Sequence, residues 1–184
     1  GRVSWLEDAV TELQSTVQRL TAMTGALEFR AEDAENRARR NNLRFIRFTE
    51  RVEGARSKTF LEEWIGNWVP DEHLSSCFVL ESAHRSLARR PPEGAPPRPF
   101  VVKILNYKDR DAILRHAREL GMVNYENHKI MIFPDNTLQV QKARKMYEAV
   151  KIELRSMGLK YMLMFPAKLK VIHDRRSHFF STPK

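Results

Sequence analysis

Arginine is the residue type in this chain whose clustering could do chemistry. Arg37, Arg39, Arg40, Arg44 and Arg47 fall in one short stretch, and Arg85, Arg89, Arg90 and Arg98 lie in or beside a second. The second stretch, Arg85 to Pro99, also holds five prolines. A guanidinium presents a planar fork of donors that fits phosphate oxygens, and a proline-stiffened loop can present several of them at modest ordering cost. The chemistry on offer is non-covalent capture of a polyanion. An unpaired strand would also need flat groups for its bases. Near the C-terminus, Tyr161 and Phe165 stand among Lys142, Arg144, Lys145, Lys168, Lys170, Arg175 and Arg176. The two rings read equally as base platforms or as core, and Arg175-Arg176 equally as a plain turn.

Covalent chemistry has less support. The six histidines have no ligand-like pairing with cysteine or acidic residues, and no nucleophile motif is present. Asp109 and Asp111 read as carboxylates at a helix N-terminus, where the dipole favours them. The single cysteine, Cys77, excludes an intrachain disulfide and a cysteine-cluster zinc site, and is expected to be a small buried residue. No cofactor and no metal is expected, and binding ranks above catalysis.

The charge is unevenly placed. The chain carries +9 overall, yet residues 1–35 hold three basic and seven acidic side chains, leaving a strongly basic remainder. An acidic rod attached to a cationic body points to a polyanion partner for the body.

The rod is legible as a heptad repeat. Val3, Leu6, Val10, Leu13, Val17, Leu20 and Leu27 alternate steps of three and four, with Thr24 filling a gap. That period draws helices into a left-handed supercoil. Valine at a with leucine at d leans towards dimers. Arg2 and Glu7 flank Val3 and Leu6 in a pattern that resembles a trimer-favouring motif, so a parallel trimer is expected and a dimer competes. No apolar run reaches membrane-spanning length.

Beyond the rod, which should run to about Arg40, the pattern predicts a strand at Leu43 to Phe48, a helix from Ser57, and strands at Cys77 to His84 and Phe100 to Leu105. A helix at Asp109 to Leu120 and a strand at Lys129 to Phe133 follow. On the first strand Arg44 would share a face with Ile46 and Phe48, and Arg47 with Leu43 and Phe45; only one face can be core. Next come one helix, Thr137 to Met157, and short strands at Tyr161 to Phe165, Lys168 to Ile172 and His178 to Phe180. The expected fold class is α+β: a coiled coil (1–40), an RRM-like β-α-β-β-α-β domain of ferredoxin-like order (41–134), and a small α+β C-terminal domain (135–184). A nucleotide-binding βαβ unit is disfavoured, because no glycine-rich turn follows the first strand. The third strand lacks the aromatic spacing usual in an RNA recognition motif, so binding would lean on arginine and on the last domain.

Four segments together resemble one family. Glu35-Asn36-Arg37-Ala38-Arg39-Arg40-Asn41-Asn42-Leu43-Arg44, Arg98-Pro99-Phe100-Val101-Val102-Lys103, the Asp109 to Glu119 helix, and Phe165-Pro166-Ala167-Lys168-Leu169 are similar to segments of the first-open-reading-frame protein of LINE-one type retrotransposons. The resemblance spans essentially the whole chain, in order. It implies a homotrimer that binds single-stranded RNA, chiefly its own transcript, and DNA as well. Such a protein coats RNA as a ribonucleoprotein, acts as a nucleic-acid chaperone and has no catalytic centre. The family pattern implies nucleic-acid contacts at Asn42, Arg44, Arg144, Phe165 and Lys168, and residue type and placement add Arg37, Arg40, Arg85, Arg89, Arg90, Arg98, Lys103, Arg115 and Tyr161. Phe165 stands where the family has tyrosine, which keeps stacking and loses a hydroxyl. The expected location is cytoplasmic ribonucleoprotein particles, with the nucleus as a second site. The competing reading is a cellular coiled-coil scaffold for RNA or acidic proteins, unrelated to transposition.

Overall fold

The computed structural model describes residues 1–174 and 176–183, with the side chain of Arg2 outside the described part. Two compact units result: one is Ala38–Asn136, the other Gly1–Arg37 together with the chain from Thr137 onward.

Helix α1 (Arg2–Ala38) has 37 residues, about 55 Å at 1.5 Å per residue. Its heptad stripe is bare: Val3, Leu13 and Leu27 are each more than 60% exposed. Towards its end, Thr137 donates to Glu32 and, at 3.3 Å, to Asn36. The same hydroxyl accepts from the Val140 amide and caps the next helix, α4 (Leu138–Lys145).

The unit Ala38–Asn136 contains β1 (Asn42–Ile46), α2 (Ser57–Gly66), β2 (Leu80–Arg85), β3 (Phe100–Ile104), α3 (Tyr107–Leu120), β4 (Val123–Tyr125) and β5 (His128–Pro134). The strands form one antiparallel sheet in the order β2-β3-β1-β5-β4. Leu43, Phe45, Leu80, Phe100, Val102, Ile104 and Ile130 point to one face and pack on Leu61, Trp64 and Ile65 of α2 and Ile113 and Leu114 of α3. Phe48 sits edge-on to Trp64, with centroids 4.8 Å apart, and to Phe100 at 5.5 Å. Each such pair adds about 0.5–1.5 kcal/mol to burial.

The strand boundaries expected from sequence hold to within three residues, with instructive departures. The first strand stops at Ile46 because Arg47 has φ 81. That left-handed residue resets the alternation. Phe48 therefore enters the core instead of sharing the face of Arg44, and Arg47 stays exposed. Strand β4 was not expected; it forms a hairpin with β5, Val123 opposite Ile130. Asp109 stands in the first turn of α3, as expected, and has a further task there. Asn106 caps α3, accepting from the Lys108 amide at 2.9 Å, while buried Asp109 accepts from the amide and hydroxyl of Ser75 at 2.8 and 2.6 Å. Cys77, expected to be buried, is exposed.

In the other unit, the single helix expected over Thr137 to Met157 is two: α4 and α5 (Glu148–Ser156). The break lets Tyr147 turn inward, where it is 1% exposed against Leu169 and Val171. Tyr147 with Val150 and Leu154 of α5 covers one face of an antiparallel sheet of β6 (Lys160–Met164), β7 (Lys168–His173) and β8 (Arg176–Phe180). Among the described residues no helix is long and apolar enough to cross a membrane.

Candidate nucleic-acid interface

Strand pairing places one set of side chains on the sheet face away from α2 and α3. Cross-strand partners share a face, so His84, Val101, Arg44 and Phe133 form one row. Ser82, Lys103 and Asn42 form the next. This bare face thus joins three of the expected contacts, Asn42, Arg44 and Lys103, and adds an exposed ring, Phe133. Lys103 reaches Glu81 at 2.6 Å, but both are about 40% exposed. A rim pair of that kind contributes at most about 1 kcal/mol and yields readily to a phosphate.

A buried carboxylate organises one end of the face. Asp135, 5% exposed, accepts from Arg39 through both oxygens at 3.1 Å and from the Asn42 amide at 3.2 Å. The Arg44 guanidinium lies 3.9 Å away. Beside this group, exposed Arg40 rests on the Tyr107 ring, 4.5 Å from its centroid, on the turn that opens α3. Three basic groups and an amide are thereby held at the start of the sheet.

The proline-rich loop, Ser86 to Pro99, is fastened at its base. The Ser86 amide donates to the Pro99 carbonyl at 2.9 Å. Arg85 is not a surface cation: it is 8% exposed and its guanidinium carbon lies 3.8 Å from the Phe100 ring centre. Its donors go to Glu53 (3.0 and 2.8 Å) and to the carbonyls of Phe48, Thr49 and Arg98. That arrangement engages all five guanidinium N–H groups. None remains for a phosphate, so Arg85 is an internal strut and leaves the set of contacts. Burial pushes the Glu53 carboxyl up, yet the bonds from Arg85 outweigh it and the net shift is downward. Arg98 pairs with Glu50 at 2.9 Å, and its side-chain hydrogen bonds hold the Glu50 carboxyl at about 2. It too acts first as a fastener. Arg89 and Arg90 are exposed in the loop, ahead of the turn that the Ala95 amide closes on the Pro92 carbonyl. Arg90 lines an open cavity of about 920 Å³ with Arg47, Glu50, His128 and the loop prolines.

The remaining expected contacts are scattered. Arg115 is exposed on α3, in the helix layer and away from the bare sheet face. Arg37 is on α1, highly exposed and paired with Asp33 one turn back. Arg144 points its guanidinium at the turn between β6 and β7, donating to the carbonyls of Leu163, Met164 and Pro166 at 3.0, 3.2 and 3.1 Å. Its evident task is to hold that turn, on which Phe165 stands 61% exposed. Tyr161 lies on the helix-facing side of β6, its hydroxyl accepting from Arg155 at 2.8 Å, and is no free platform. Lys168 is exposed on the other side, its ammonium 5.2 Å from the Phe179 ring. Arg175 lies outside the described residues.

The heptad residues Val3, Leu6, Val10, Leu13, Val17, Leu20 and Leu27 are all at least 50% exposed along α1, and Glu7 beside them is exposed too. Sequence reasoning missed Asp135, Tyr107, Phe133 and Phe179. Only Asp135 carries a signal, as the residue after the proline that closes the last strand of the sheet; the rings look like ordinary core residues.

Comparison with known proteins gives a consistent result. No family model matches the chain. The chain is 26% identical to the LINE-1 retrotransposable element ORF1 protein of Mus musculus over 183 residues, 97% of this chain and 51% of that protein. It is 27% identical over 129 residues to the LINE-1 type transposase domain-containing protein 1 of Homo sapiens, covering 70% of this chain and 15% of that protein. The chain thus spans about half the length of the mouse relative. The alignment with the mouse protein runs nearly end to end through this chain, and that likeness supports the LINE-1 ORF1 protein family.

Proposed function

We propose that this chain binds single-stranded nucleic acid without catalysis, as a trimer held by α1, and coats retrotransposon RNA as a ribonucleoprotein and chaperone. The observation that carries the reading is the sheet face with Asn42, Arg44 and Lys103, joined in the same unit by exposed Arg40 and the exposed loop arginines Arg89 and Arg90. The four-strand order β2-β3-β1-β5 with both helices on one side supports an RRM-like domain, the commonest platform for unpaired RNA. The unburied heptad stripe supports a parallel coiled coil, since an apolar seam this long needs partner helices. Three tethered heads raise the effective concentration of each along one strand. Fast, charge-driven exchange then screens repulsion between strands and lets them re-pair, which is chaperone action. Cytoplasmic ribonucleoprotein particles, with a nuclear fraction, are the locations this role entails.

The test is titration of a fluorescent single strand at several salt concentrations. With roughly six to eight phosphates contacted per head, log affinity falls with log salt at a slope of about −4 to −6. A slope near zero, or preference for an acidic peptide over the strand, rejects the reading.

A further inference from the structure

The cavity beside the proline-rich loop is not part of the sheet face. It measures about 920 Å³, an ordinary size for a small-molecule site, and Asn42, Arg44 and Lys103 do not line it. One wall is the loop, held in place by Arg85 on Glu53 and Arg98 on Glu50. The other walls come from the chain after β1 and the start of β5.

The cations of this cavity are uncommitted. Arg47, Arg90 and His128 line it, and none has a hydrogen-bond or ion-pair partner among the described residues. Of its two carboxylates, Glu50 is taken up by the guanidinium and amide of Arg98, which leaves exposed Glu93. The backbone adds a second, independent sign. Arg47 holds φ 81, a left-handed conformation that a residue with a Cβ adopts only at a cost. That turn ends β1 and takes Arg47 out of the strand's alternation, to the cavity's edge. A strained residue kept at the edge of a cavity points to a task for its side chain there.

The chemistry selects the ligand. An internal phosphate of a strand carries one charge, and one guanidinium serves it. Two guanidinium forks, an imidazole and the Thr49 hydroxyl suit a phosphate monoester, with up to about two charges and its extra acceptor oxygens. The loop prolines give the remaining wall apolar surface for a flat base, and Glu93 supplies an acceptor for a ribose hydroxyl. We propose that this cavity binds a nucleoside 5′-phosphate, with Arg47 and Arg90 on the phosphate and the loop prolines against the base. A free mononucleotide and the phosphorylated 5′ end of a strand both present that group.

The experiment titrates the full chain with AMP, adenosine and inorganic phosphate by calorimetry. Two strands of one sequence, one ending in a 5′-phosphate and one in a 5′-hydroxyl, are titrated by anisotropy. The variant is Arg47→Gly, which suits φ 81 and removes the guanidinium without straining the fold. Saturable binding of AMP is expected, with adenosine about tenfold weaker or worse. Arg47→Gly should bind AMP about tenfold more weakly and yet denature at a higher midpoint. If AMP does not bind, but a 5′-phosphate strengthens strand binding in wild type and not in Arg47→Gly, the strand end is the source and the site stands. Inorganic phosphate binding as tightly as AMP overturns the proposal, because the nucleoside then makes no contact. Unchanged AMP affinity in Arg47→Gly, or no effect of either AMP or the 5′-phosphate, overturns it and leaves the function proposed above intact. A chain that binds AMP and ignores both strands keeps this site and loses that function.

Discussion

Arg39 and Asp135 face each other across 96 positions of sequence, one guanidinium nitrogen 3.1 Å from both carboxylate oxygens. The same carboxylate holds Asn42 and lies near Arg44. Bulk electrostatics and local geometry make opposite predictions for Asp135→Asn. Removing a negative charge should tighten strand binding if Asp135 merely repels phosphate. If it aligns the cations, binding should weaken by roughly fivefold, the effect of about 1 kcal/mol of lost charge-assisted bonding. The second outcome is expected, and anisotropy titration at fixed salt reads the sign directly.

Arg85 and the exposed loop arginines should separate cleanly. Arg85→Ala strands the Glu53 carboxylate in a nearly buried site and removes three carbonyl contacts. A loss of about 3–5 kcal/mol of stability is expected, seen as a lower denaturation midpoint. The salt slope of whatever remains folded should not change. Arg89→Ala with Arg90→Ala should do the reverse: stability within about 0.5 kcal/mol of wild type, and a slope shallower by roughly 1.4, the share of two phosphates.

The Glu50–Arg98 pair gives the fold a pH dependence of known sign. Bonding to Arg98 holds the Glu50 carboxyl at about 2, below its ordinary 4.5. The unfolded chain therefore takes up this proton more readily than the folded one. Stability from the pair is complete above pH 4.5 and is lost as pH falls towards 2. Urea denaturation should find wild type more stable than Glu50→Gln at pH 7. The gap should narrow steadily below pH 4.5.

Leu13 sits mid-stripe on α1, 64% exposed. If the stripe joins copies of the chain, Leu13→Asp buries a carboxylate at the seam and light scattering should report a monomer where wild type is an oligomer. Binding to a long strand should then fall much further than binding to a short one. Equal mass for the two proteins would leave the stripe without its assigned role.

Much of the fold was legible because the signals are local. The heptads, the valine-, isoleucine- and phenylalanine-rich strands and the glycine after α3 each act over a few residues. What sequence obscured depends on long-range partners. Arg85 looked like Arg89 and Arg90, because nothing in the order of residues tells that Glu53 and three carbonyls converge on it. Arg47 looked like one more strand residue, since a left-handed arginine has no sequence signature. Asp135 meets Arg39 only after the sheet has formed. The break at Tyr147 has no sequence signal, because α4 and α5 each keep helical periodicity and only burial of the ring dictates the bend. Positive charge is legible in the residue order, but which cations are exposed and which are fastened is a tertiary property.

The base of the proline-rich loop has a lasting consequence. Glu50 and Glu53, one helical turn's worth of chain apart, grip Arg98 and Arg85 at its two ends, and the Ser86–Pro99 bond closes it. The segment in between is mechanically insulated from the sheet. Residues in the loop can be exchanged, added or deleted without shifting β2 or β3, so this segment can vary in length and composition while the scaffold stays the same.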